Sequence, residues 1–134
     1  MTAVAEQRFP RSMRLKRRRL ITPLFDRSDS STRSVAVGGV RILYRLTSRH
    51  LTGENTPIQI GFAPGRCKNA VQRNGLRRQM CETWRKHQHL INTQEIPKTR
   101  TLTLMVVARG SKNAAELPAD LTQAMHLLHQ TINH

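Results

Sequence analysis

Residues 66–85 read RCKNAVQRNGLRRQMCETWR, and this stretch decides the architecture. From Ala70 onward it winds as a helix, because Leu76, Met80, Trp84, His87 and Ile91 recur every three or four residues and line one face. Asn74, Arg77, Arg78 and Arg85 fall together on a different arc, roughly 100° wide. Arg73 projects near the apolar side, but in the first turn, from which it reaches past the edge of a core. Arg66 and Lys68 add cations beside the helix N-terminus, whose unpaired N–H groups and positive dipole end favour phosphate. One side of the helix can therefore pack on a core while the other offers guanidinium groups to a polyanion. A run of charge on a helix is ordinarily a solvated face laced with acids. Here the only carboxylate between Arg66 and Lys86 is Glu82, so pairing at helical spacing does not account for the cations. Asn74–Gly75 is a favoured hairpin dipeptide, but its flanks do not alternate, and the helix reading stands.

The elements on either side follow from their own periodicities. Upstream, Pro64–Gly65 ends a period-2 stretch in which Ile58, Ile60 and Phe62 alternate with Gln59, Gly61 and Ala63. An earlier one, Val40 to Leu46, sets Val40, Ile42, Tyr44 and Leu46 on one face and Arg41, Leu43 and Arg45 on the other. Each is expected to bury one face. Thr47 to Pro57 reads as loop, Val35 to Val37 as a short strand, and Gly38–Gly39 as the turn after it. Ser28 to Ser34 is polar and turn-like. The basic run Arg14 to Arg19 leads into an apolar stripe, Leu20, Ile21, Leu24 and Phe25. Pro23 interrupts that stripe, so the helix is expected to start near Thr22 or to kink. Downstream of Ile91, Asn92 to Arg100 is a polar connector, and Leu102 to Ala108 a buried strand. Leu117, Leu121, Met125, Leu128 and Ile132 then form the stripe of a last helix, with Pro118 in its first turn. Helix, three strands, helix, strand, helix is an α+β order, a sheet with helices packed on it.

The 134 residues are read as a single domain, with residues 1–8 as a loose tail. A net charge of +15, from 23 Lys and Arg against 8 Asp and Glu, attracts nucleic acid or an anionic membrane surface. No apolar run approaches the roughly 20 residues that span a bilayer, so no membrane role is expected. The N-terminus lacks the apolar core of a secretory signal. Cys67 and Cys81 form no CxxC pair and fit free thiols in a reducing cytoplasm.

With the elements in order, the chain resembles the protein component of bacterial ribonuclease P, as a divergent member, from Arg8 to the last helix. The core of the likeness is AVQRNGLRR (residues 70–78) with ETWR (residues 82–85), similar to the family signature in which Arg73, Asn74, Leu76, Arg77 and Arg78 hold matching positions. FAPGR (residues 62–66), RLKRRRLITPLF (residues 14–25) and VVAR (residues 106–109) resemble the segments around it. There are departures. Gly75, Gln79 and Cys81 stand where further basic residues are common, Gly65 replaces a usual Lys, and Ile21 replaces the first aromatic of helix one, while Phe25 keeps the second.

The resemblance implies an α–β sandwich: a four-stranded sheet, three helices and a left-handed βαβ crossover, like the second domain of a small-subunit ribosomal protein. It implies a subunit of the endoribonuclease that matures the 5′ end of tRNA, with chemistry done by an RNA. The signature helix, with Arg66, Lys68, Arg73, Asn74, Arg77, Arg78 and Arg85, would bind the catalytic RNA. A cleft with Ile21, Phe25 and Tyr44 would hold the 5′ leader of precursor tRNA, and Mg²⁺ would sit on the RNA with no cofactor on the protein. By the residues alone, Phe25 is equally a core residue, and Arg41 and Arg45 face away from Tyr44.

No catalytic set is expected on the chain itself. His126 and His129 stand at i, i+3 but lack the further ligands a zinc site needs, and Cys67 and Cys81 have cations nearby but no dedicated base. Two alternatives share the charge and size. A ribosomal or other structural RNA-binding protein would lack a leader cleft, and a protein-only nuclease would need clustered carboxylates or histidines.

Overall fold

The computed structural model describes residues 13–53, 55–65, 69–108 and 116–132. Eight named elements follow in order: α1 (Arg18–Phe25), β1 (Arg33–Val37), β2 (Val40–Ser48), α2 (Arg49–Thr52), β3 (Ile58–Ala63), α3 (Ala70–His87), β4 (Arg100–Ala108) and α4 (Leu117–Ile132). The strands form one mixed sheet in the order β1-β2-β4-β3. β1 pairs antiparallel with β2 and β2 with β4, while β3 runs parallel to β4, joined to it through α3. The α+β order read from the sequence is the observed one. The tail at 1–8, Arg66, Cys67 and Lys68 lie outside the described residues.

The expectation of one buried face per strand is corrected. α3 and α4 cover one face of the sheet, where Leu76, Met80, Trp84, Leu121, Met125 and Leu128 meet Val40, Ile42, Ile60 and Leu104. On the other face α1 lays Leu20 and Leu24 over Leu43 and Met105, with Leu15 beside them. β4 lies second from the edge with helices on both sides, so its burial is nearly continuous from Thr101 to Ala108. Its buried threonines are satisfied locally: Thr101 donates to the Thr56 carbonyl at 2.8 Å, and the Thr47 and Thr103 hydroxyls meet at 3.0 Å.

β1 begins two residues early at Arg33, β2 runs on to Ser48 and β4 begins at Arg100, and the helices differ further from expectation. α1 starts at Arg18, four residues before Thr22, and carries Pro23 inside it. The proline forgoes one bond to the preceding turn, and the helix runs only two residues further, so the loss is confined to its end. α3 stops at His87, where the chain tightens into a 3₁₀ turn, Gln88–Leu90, yet Ile91 is still delivered into the core. Within the expected loop, Arg49–Thr52 makes one helical turn.

Two tethers fix the sheet's margins. The two-residue turn Gly38–Gly39 closes the β1–β2 hairpin with Gly38 at φ +54°, and the Gly39 amide donates to Asp120 Oδ2 of α4 at 3.2 Å. At the opposite margin the Leu15 amide donates to the Ile60 carbonyl at 2.9 Å, so the basic stretch lies against the free edge of β3.

Candidate nucleic-acid interface

α3 begins at a cap: the Asn69 side chain accepts from the Gln72 amide at 2.8 Å. Leu76, Met80, Thr83 and Trp84 point into the core, and Ile91 of the sequence stripe reaches it beyond the helix end. Arg73, Asn74, Arg77 and Arg78 are exposed, and none of their side chains makes a hydrogen bond or ion pair among the described residues. Free guanidinium groups on a rigid helix lose little side-chain freedom to an internal partner and remain available to phosphate oxygens.

Arg85 differs from that set. It pairs with Glu82, its side chain is only 12% exposed, and Lys86 stands 4.0 Å from the same carboxylate. The single acid of the stretch thus takes up the last arginine of the arc, and the free cationic surface ends at Arg78. Cys81 lies half-buried between these arginines. Burial pushes its thiol up in pKa, against the guanidiniums of Arg14 and Arg85, so proximity to cations does not make it a thiolate.

Gly75 sits in regular helix, without positive φ, and a Cβ added there meets nothing within 4 Å. Gly75→Arg should therefore raise helix stability by up to about 1 kcal/mol and tighten RNA binding. Thermal melts and a salt-controlled binding titration check both effects, and a loss of stability would contradict this placement of Gly75.

On the α1 face an open groove of about 420 Å³ runs between α1 and the sheet. Phe25, 49% exposed, stands at its wall, with Leu24, Leu43 and Val107 below and Arg27 and Arg41 at its rim. Phe25 is therefore not core. Its two acids are engaged elsewhere: Asp29 pairs with Arg45 at 2.8 Å, and the Ser28 hydroxyl and amide hold the Asp26 carboxyl below its ordinary pKa.

The other two residues expected in this cleft are not there. Ile21 is half-buried against the small cluster under α1. Tyr44 is 5% exposed and lies across the sheet with Val40 and Ile42, in the core beneath α4. Strand alternation explains the correction: Leu43 faces α1, so Tyr44 cannot. The same alternation pointed to Arg41 and Leu43 as groove residues, once α1 is known to cover their face.

Among the described residues no three His, Cys, Asp or Glu side chains gather as metal ligands, and no helix is long and apolar enough to cross a membrane.

A cationic helix face and an open groove carried on opposite sides of an α+β sheet define a protein built to dock on RNA. Residues 9–132 match the Ribonuclease P family, and the chain belongs to that family: a protein subunit of ribonuclease P, in tRNA processing. In structure it is similar to the RNase P protein of Staphylococcus aureus, with a TM-score of 0.55 and 14% identity, over 89% of this chain and 94% of that one. At that identity the likeness is one of fold. No curated protein matches the sequence.

Proposed function

We propose that the chain binds the catalytic RNA of ribonuclease P through the exposed arginines of α3, and receives the single-stranded 5′ leader of precursor tRNA in the groove beside α1. Cleavage at the tRNA 5′ end then falls to the RNA and to Mg²⁺ ions held on it. The observation that carries this reading is the division of labour between the two faces. Arg73, Arg77 and Arg78, without ion pairs among the described residues, form a cationic surface suited to a structured, phosphate-rich partner. Phe25 instead sits in a groove open enough for an extended strand, with Leu43 and Val107 under it and Arg41 at the rim. An exposed aromatic ring and flanking guanidiniums hold unstacked bases with little regard to sequence, as a subunit serving many leaders must. The cytoplasm, where precursor tRNA is processed, is the proposed location. The unpaired cations alone would equally suit a structural RNA-binding protein; the groove is what favours a leader-binding subunit.

The test is leader dependence. Phe25→Ala should weaken binding of precursor tRNA carrying a leader by about 1–3 kcal/mol and leave binding of leaderless tRNA unchanged. Since Phe25 is half-exposed, the melting temperature should move little. Equal losses on both substrates would remove the leader from this groove.

A further inference from the structure

Across the sheet from the Phe25 groove lies a second hollow, of about 390 Å³, beneath the last turn of α4. That volume is in the range of sites for small organic ligands. Its floor is Tyr44, Leu46 and Leu102, and Ile96 and Ile132 form the walls. Leu46 remains 44% exposed there, although it belongs to the face that is otherwise the main core.

The hollow has a charged rim of the opposite character. Strand pairing sets Arg33 opposite Tyr44 and Arg100 opposite Ser48, which places both arginines on the face of Leu46. Both line the hollow, and neither guanidinium makes a hydrogen bond or ion pair among the described residues. The Arg33 guanidinium acts on Tyr44, whose phenol is held above its ordinary pKa by burial against the pull of Arg33 and the Thr131 hydroxyl. Arg45, also at the lining, is already paired with Asp29 at 2.8 Å. The lining holds one carboxylate, Glu95, to which the Asn92 amide donates at 3.5 Å. An apolar slot flanked by two free guanidiniums fits a ligand that is flat and apolar at one end and anionic at the other.

We infer that this hollow is a nucleotide subsite, in which an unstacked base lies against Leu46, Ile96, Leu102 and Ile132 while its phosphate is held between Arg33 and Arg100. The ligand is one nucleotide of an RNA strand on the face of the sheet away from the Phe25 groove. Glu95 offers an acceptor to an exocyclic amino group, so adenine suits the slot better than uracil. The inference rests on the reading that the chain binds RNA; its site is distinct from α3 and shares with the Phe25 groove only Arg33, which lines both hollows.

The test is an NMR titration of the full chain with AMP, UMP, ribose 5-phosphate and a tetra-adenylate. AMP should shift amides at positions 44–46, 96, 100–102 and 131–132, more strongly than UMP and far more than ribose 5-phosphate. The tetra-adenylate should shift the same amides at lower concentration. Arg33→Ala combined with Arg100→Ala should weaken AMP by roughly tenfold or more, at up to about fivefold for each exposed charge. Leu46→Glu should abolish the shifts, and because Leu46 is already exposed the rest of its spectrum should stay folded. Equal affinity for ribose 5-phosphate and AMP would reduce the hollow to an anion site and overturn the inference. So would shifts confined to the Phe25 groove or to α3, or a site that takes AMP but not the strand. Failure to stimulate a ribonuclease P RNA would refute the proposed function while leaving this titration unaltered.

Discussion

Replacing Arg77 and Arg78 together by alanine should flatten the log–log salt dependence of RNA binding by about 1.5 units and lower affinity by roughly twentyfold near physiological salt. The magnitude follows from counterion release: each phosphate contact contributes about 0.7–0.9 units of slope. Both side chains are exposed, make no hydrogen bond or ion pair among the described residues, and stand on a helix whose opposite face is anchored by Leu76, Met80 and Trp84. Their removal therefore takes away charge and almost no packing, and the melting temperature should hold within a degree or two. Arg85→Ala should behave in the reverse manner. Its guanidinium is paired with Glu82 and its side chain is mostly buried, while Lys86 stays beside the carboxylate, so the change removes chiefly the packing of the arginine stem and moves stability more than RNA affinity. An unchanged slope in a folded double variant would remove α3 from the interface.

The largest effect on the fold is expected at Gly65. Restoring the lysine that the family resemblance leads one to expect, Gly65→Lys, should destabilise the protein by at least about 2 kcal/mol. That corresponds to a fall of about 8 °C in melting temperature for a chain of this length. Gly65 has φ +75°, and a Cβ there would lie 2.1 Å from the Ala108 carbonyl oxygen. Backbone on both sides of that contact leaves nothing flexible to move aside. Comparing melts of Gly65→Ala, Gly65→Lys and Gly75→Arg separates the two glycines. The first two should fall together, since the Cβ is the cause, and the third should rise. A stable Gly65→Lys would mean that the turn between β3 and α3 adopts another backbone path.

These two glycines show what a sequence reveals and what it withholds. Both depart from the signature, and by composition both look like lost cations. Gly75 is a plain vacancy on a solvated helix face, whereas Gly65 is required by a carbonyl more than forty residues away, which no local pattern announces. The stripe Leu76, Met80 and Trp84 was legible because helical period and burial coincide over several turns. The succession of strands and helices along the chain was legible too, since the period-2 stretches and the apolar run Leu102 to Ala108 stand apart from the helical stripes. The assignment of faces was not. Alternation says which residues share a side, but only α1 packing on Leu43 and Met105 shows that both sides are covered, and this moved Tyr44 out of the groove and brought Arg41 into it. Arg85 shows a related limit: a helical arc records direction, not whether Glu82 already holds the charge.

On the function proposed above, this chain assists an RNA catalyst and does not itself cut. The most direct test is precursor-tRNA cleavage by a bacterial ribonuclease P RNA at low Mg²⁺, with and without the protein. The account predicts no cleavage by the protein alone over any incubation. With both components present it predicts a single cut at the 5′ end of the mature tRNA, stimulated more as the leader lengthens. Specific cleavage by the protein freed of all RNA, or no stimulation of the RNA by a folded protein, would contradict it.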